Sequence, residues 1–198
     1  MKILVVVAHP KPASFNHALA AAAGDALRTL GHEVTLQDLC ADGFDPLLPA
    51  AEFAKDAVLP PDIARRCAEL AAADGLILVH PNWWGQPPAV MKGWIDRVVR
   101  PGVAYEFRVS PNGKPGPVGL LKVRAALVLN TGNTPLEAEH ALYGDPLDNL
   151  WKRCFGGMCG LPRTERLYFT PVIVSTPEQR AAWLAETRAK AAELFPRA

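Results

Sequence analysis

The chain alternates between two patterns: short apolar runs, and longer stretches in which apolar residues recur every three or four positions. Residues 3–8 form a continuous, valine-rich apolar run, the pattern of a strand covered on both faces. Leu19, Ala22, Ala23, Ala26, Leu27 and Leu30 then repeat at helical spacing, with Gly31 where a C-terminal cap belongs. Further strands are expected over 33–39, 75–80, 123–129 and 166–174. Helices are expected over 63–73, 89–99 and 145–154, the second with Val90, Trp94 and Val98 on one stripe beside Met91 and Ile95. A last helix starts with Thr176 as N-cap, Pro177 at the first helical position and Gln179 completing a capping box. Pro171 lies inside the fifth strand run and sets that strand at a sheet edge, because proline cannot donate to a ladder.

Five strands alternating with helices predict one doubly wound α/β domain over residues 1–198, with helices on both faces of a parallel sheet. Two connections stand apart. Residues 41–62 are rich in proline and aspartate, with a short helix expected over 50–57. Residues 101–122 carry Pro111, Gly113, Pro115, Gly116, Pro117 and Gly119, and a loop of that length is usually functional or mobile.

Composition narrows the partners. Apolar residues make up 49% of the 198 and charged residues 21%, with a net charge of +1, which excludes wholesale disorder and argues against nucleic acid or an anionic membrane as partner. Cys40, Cys67, Cys154 and Cys159 show no zinc spacing and fit free thiols in a reducing compartment. The apolar start is too short for a signal peptide, and no run approaches membrane-spanning length. The expectation is a soluble, cytoplasmic protein.

Ligands of open parallel sheets bind beyond the carboxyl ends of the strands, and three such ends are unusual. After the first strand come His9, Ser14, Phe15 and Asn16 at the mouth of a helix. Ser14 or Asn16 serves either as a plain cap or as part of a phosphate site at the helix N-terminus. After the third come Pro81, Asn82, Trp83, Trp84 and Gly85. Adjacent tryptophans point in different directions, so at least one ring lines a surface or pocket. After the fourth come Asn130, Thr131, Gly132 and Asn133, an ordinary turn or one that lets a ligand approach the backbone. The chain has no GxGxxG, no P-loop and no GxSxG elbow, and its five histidines show no metal-ligand spacing. A receiver-type domain needs acidic residues where His9 and Pro81 stand.

Taken in order, Ala8-His9-Pro10, Ser14-Phe15-Asn16, Pro81-Asn82-Trp83-Trp84, Lys92-Gly93-Trp94, Ala104-Tyr105 and Asn130-Thr131-Gly132-Asn133 resemble the flavodoxin-like NAD(P)H:quinone oxidoreductases. Gly144-Asp145-Pro146-Leu147 and Trp151-Lys152 are similar to a bacterial branch of NAD(P)H-dependent oxidoreductases. The resemblance implies a flavodoxin-like five-stranded sheet in order 2-1-3-4-5 and a flavin cofactor, FAD favoured over FMN, with NADPH or NADH as cosubstrate. A flat, quinone-like acceptor that shares the flavin face with the nicotinamide is expected to react in ping-pong fashion. Because Tyr105 and the tryptophan loop are costly to leave in water, a homodimer with the site near its interface is expected. By position, His9, Ser14, Phe15 and Asn16 would hold the phosphate or pyrophosphate. Pro81, Asn82, Trp83, Trp84 and Gly85 would flank the isoalloxazine, and Asn130, Thr131, Gly132 and Asn133 would meet its pyrimidine edge. Tyr105, Trp84 and Tyr143 would face the substrate, and no side chain need act as a covalent catalyst. The tyrosine and histidine that the animal enzymes place after the glycine turn are not reproduced in position. Two other readings stay open: a flavodoxin-like single-electron carrier, and a nucleotide-binding regulatory subunit of a membrane transporter.

Overall fold

The computed structural model describes residues 1–109 and 113–197. Its main sheet holds five parallel strands: β1 (Lys2–Val7), β2 (Glu33–Asp38), β3 (Gly75–Pro81), β6 (Ala125–Thr131) and β7 (Thr164–Phe169). A separate antiparallel hairpin pairs β4 (Tyr105–Val109) with β5 (Pro115–Gly119). The sheet order is β2-β1-β3-β6-β7, which is the expected 2-1-3-4-5 once the hairpin is set aside. The chain order therefore reverses between β1 and β3, and the crevice above that switch point is where ligands of such sheets sit.

Alternation along the strands splits the core into two layers. Leu4, Val6, Leu76, Leu78, Ala126 and Val128 face α2 (Pro61–Ala72) and α3 (Ala89–Val98), while Ile3, Val5, Ile77, Val79 and Leu127 face α1 (Phe15–Thr29) and α7 (Pro177–Leu194). β3 and β6 are buried along their whole length, so their apolar runs are continuous, as a sheet covered on both sides requires. Ser14 and Thr176 cap their helices as expected, accepting from the His17 and Gln179 backbone N–H groups. Gly31 follows the end of α1 with φ +86°.

Four expectations need correction. Residues 101–122 are no plain loop but contain the β4–β5 hairpin, with Phe107 opposite Pro117; Pro111 lies outside the described residues. The fifth strand stops at Phe169, so Pro171 stands beyond it, although β7 is the sheet edge. The helix expected over 145–154 is longer. It starts as α5 (Pro146–Asp148), passes through a π-helical stretch (Asn149–Phe155) and ends as α6 (Gly156–Cys159), after a separate α4 (Leu136–Tyr143). The short helix expected over 50–57 is a single 3-10 turn, Ala50–Glu52.

The Lys92-Gly93-Trp94 stretch is explained by packing. A Cβ on Gly93 would stand 2.3 Å from the Pro46 backbone, so only glycine lets the 41–62 connection lie on α3. Trp94 is fully buried and its Nε1–H donates to Gln37 Oε1 at 3.0 Å. Lys92 and Asp96 form an exposed ion pair one helical turn apart.

Candidate active site

The three unusual strand ends meet at the carboxyl edge of the sheet. His9, Ser14, Phe15, Asn16, Pro81, Asn82, Trp83, Thr131, Gly132 and Asn133 line one cavity of about 260 Å³. Asn82, Trp84, Gly85, Asn133 and Tyr143 line a second of about 540 Å³, together with Gln86, Glu139 and Tyr168. Asn82 and Asn133 belong to both, so the cavities join into one cleft. Their combined size lies in the range of small-molecule and cofactor sites.

Each wall has a local cause. The tryptophan loop is a tight turn in which the Trp83 and Gln86 backbones exchange two hydrogen bonds of 3.0 Å. Both central residues take positive φ: Trp84 at +58° and Gly85 at +69°. That geometry is natural for glycine but strained for tryptophan, and strain of this kind clusters at functional sites. The turn leaves the Trp84 ring fully exposed while Trp83 leans toward His9, ring centroids 6.0 Å apart. A Cβ on Gly85 would meet Pro146 at 2.6 Å, so the bare backbone seats the turn against the start of α5.

Asn16 spends its amide on Thr131, giving one hydrogen bond at 3.0 Å and accepting one at 3.2 Å. It thereby ties the first turn of α1 to the end of β6. Ser14 Oγ lies 2.7 Å from His17 Nδ1, and His17 Nε2 lies 3.0 Å from Asp38. His9 Nδ1 accepts from the Lys11 N–H at 3.1 Å. Burial holds the His9 imidazole below its ordinary pKa, outweighing the opposing hydrogen bond with the Lys11 backbone.

Beneath the cleft lies a fully buried polar platform. His80 Nδ1–H donates to the Pro81 carbonyl at 2.8 Å, and its Nε2 accepts from Trp151 Nε1–H and Asn130 Nδ2, each at 3.0 Å. Burial pushes the His80 pKa down to about 4. Asn130 Oδ1 accepts from Arg166, whose guanidinium grips Asp145 with two bonds of 2.7 and 2.8 Å. This chain fixes the turn that carries Tyr143 and Pro146.

Several sequence expectations change here. Asn130 lines neither cavity, because its side chain is spent on His80 and Arg166. Tyr105 lies in a separate apolar cavity of about 220 Å³ with Ile95, Val99, Leu150 and Phe155. Gly132 also makes room for a side chain: its Cβ would stand 2.0 Å from the Tyr168 hydroxyl. Asn133 Oδ1 accepts from the Ile173 N–H at 3.0 Å. The sequence reading missed Glu139, Tyr168 and Gln86, which reach the cleft from the polar helix α4, the edge strand β7 and the tryptophan turn.

A doubly wound sheet with this reversal and a cleft at its carboxyl edge defines a flavodoxin-like protein. The chain belongs to the flavodoxin-like fold family, which it matches over residues 1–195. It is 31% identical to the Homo sapiens ribosyldihydronicotinamide dehydrogenase (quinone) over 211 residues, covering 92% of this chain and 88% of that one. It is 29% identical to NAD(P)H dehydrogenase (quinone) 1 of Cavia porcellus, spanning 76% of this chain but only 60% of the relative's length. The crystal structure of a putative quinone reductase from Klebsiella pneumoniae superposes with a TM-score of 0.85 at 28% identity, covering 100% of this chain and 86% of that one.

Proposed function

We propose that this chain is a flavin-dependent oxidoreductase that uses NAD(P)H to reduce quinones or similar flat acceptors. The observation that carries the reading is the aromatic cleft at the sheet's switch point, walled by a strained, fully exposed Trp84 and floored by the capped start of α1. The relatives' names, each a quinone-reducing dehydrogenase, point the same way. The residues suit a flavin. The cleft is roomy, has aromatic rings on one side, and holds a buried acceptor, Asn82 Oδ1, that has no partner among the described residues. When bound, the flavin supplies hydride acceptance from the nicotinamide and delivery to the acceptor.

The chain's own residues supply binding and orientation. Ser14, Phe15, Asn16 and His9 surround the phosphate end, where the free N–H groups of α1 favour an anion. Asn82, Trp83, Trp84 and Gly85 border the ring, with Thr131, Gly132 and Asn133 at its pyrimidine edge and Asn130 acting from below. Trp84 and Tyr143 wall the acceptor side. Residues 1–198 act as one flavin-binding unit. A second copy of the chain covers the Tyr105 cavity and the exposed Phe107 and Val109, making a homodimer. Four free cysteines support a cytoplasmic setting, and no helix among the described residues is long and apolar enough to cross a membrane.

FAD is favoured over FMN. The test is the visible absorbance of the purified protein followed by chromatography of the released cofactor. Flavin bands with FAD eluting are expected, and FMN eluting corrects the cofactor alone. A preparation that stays colourless with excess FAD and FMN overturns the reading.

A further inference from the structure

The inner wall of the larger cavity carries more hydrogen-bond acceptors than the protein itself satisfies. Glu139, in α4, is only 2% exposed and forms no ion pair among the described residues. Its Oε1 accepts one bond, from Asn82 Nδ2 at 2.8 Å, and the same Nδ2 donates to the Tyr168 hydroxyl at 3.2 Å. Those two contacts fix which end of the amide faces which way, because a flipped Asn82 would set oxygen against the carboxylate. Asn82 Oδ1 is left buried with no partner among the described residues. Burial raises the Tyr168 pKa, with Glu139 adding to the effect, so this hydroxyl stays neutral and brings no compensating charge. Asn82, Glu139 and Tyr168 all line the cavity that Trp84 walls.

A buried acceptor without a donor is costly, and a carboxylate held from water by one neutral donor more so. Both costs fall when a ligand brings an N–H group to this wall. We propose that Asn82 Oδ1 and Glu139 form a donor-reading subsite that accepts hydrogen bonds from an amide-type N–H carried on a flat ring. The carboxylate also repels anionic groups placed there, so the cleft selects neutral, N–H-bearing rings over their anionic counterparts.

This inference rests on the flavin-oxidoreductase reading, in which two ligands carry the required group: the imide N–H of the isoalloxazine and the carboxamide of the nicotinamide. Two analogue pairs separate them. Wild-type and Glu139→Gln apoproteins are titrated with FMN and with 3-methyl-FMN, which lacks the imide N–H, following flavin fluorescence to obtain dissociation constants. Reduced NAD(P)H and its reduced 3-acetylpyridine analogue, which lacks the NH₂, are then compared by half-saturation for bleaching the bound flavin.

In the wild type one of the two analogues should bind about 10- to 100-fold more weakly than its parent, as loss of a charge-assisted bond requires. In Glu139→Gln that penalty should shrink to about threefold or less. A penalty on the methylated flavin assigns the imide, and a penalty on the acetyl analogue assigns the carboxamide. Flavin that binds with no penalty on either analogue, or with a penalty that Glu139→Gln leaves unchanged, overturns the subsite while leaving the function intact. Failure to bind FMN or FAD at all removes the flavin reading and the subsite with it. The wild-type analogue comparison stands even if the variant does not fold.

Discussion

Trp84 combines two costs that a protein without a use for it would shed: a positive φ of +58° and a ring left in water. Left-handed backbone costs a non-glycine residue about 1–2 kcal/mol. Glycine takes the same conformation freely, but its unfolded chain is looser by about 0.5–1 kcal/mol relative to alanine. Trp84→Ala keeps the strain and removes the ring; Trp84→Gly removes both. Subtracting one variant from the other cancels the ring, so glycine should exceed alanine in stability by about 0.5–1 kcal/mol, or about 1–4 °C in Tm for a chain of this size. The assay is thermal unfolding of the flavin-free proteins at one protein concentration, since ligand and self-association would both shift the midpoint. Both variants should also retain flavin more weakly or turn over acceptor more slowly, because an aromatic wall adds about 0.5–1.5 kcal/mol beyond burial. A Trp84→Gly protein no more stable than Trp84→Ala would refute the strained-turn account. Unchanged flavin retention and turnover in both would remove the ring from the site.

Three further outcomes follow from the structure. Gly93→Ala drives a methyl group to 2.3 Å from the Pro46 backbone and should cost about 2–3 kcal/mol, seen as a lower urea midpoint with an unchanged slope. His80 has a folded pKa of about 4, below the unfolded value of about 6.5. Its contribution is therefore complete above about pH 6.5 and is lost as acid protonates the unfolded state first, worth about 3 kcal/mol by pH 4. Urea titrations of wild type and His80→Gln at pH 7 and 4.5 should show the wild type losing more; equal losses would place the titrating groups elsewhere. If nicotinamide and acceptor share the cleft beside Trp84, initial rates over a grid of both substrates should give parallel double-reciprocal lines, and intersecting lines would require two separate sites.

The sheet was legible because β1, β3 and β6 are buried on both faces and so read as unbroken apolar runs. The β4–β5 hairpin was not, because a Pro-Gly-Pro strand with exposed partners carries neither apolar alternation nor β propensity. Its course is set by tertiary contact: a Cβ on Gly119 would collide with the Cys159 carbonyl. The π-helical stretch escaped because one changed turn does not alter the recurrence of Leu147, Trp151 and Phe155. At the site, the three strand-end loops announced themselves through residue types that have little reason to sit together. Glu139 and Tyr168 gave no such sign. A glutamate on a polar helix and a tyrosine on an edge strand become cleft residues only once α4 and β7 are packed beside Asn82. Asn130 misled for the opposite reason: it sits in a suggestive motif but turns inward to hold His80 and Arg166.

A flavin held in the cleft is proposed to exchange hydride with NAD(P)H and then with a flat acceptor. The direct test is anaerobic mixing of the flavin-loaded protein with NADH or NADPH, following the flavin band, and then adding a benzoquinone. Rapid bleaching by at least one nicotinamide and full return of colour on one equivalent of quinone are expected. Bound flavin that neither nicotinamide bleaches, or that bleaches but is not reoxidised by the quinone, would contradict this mechanism.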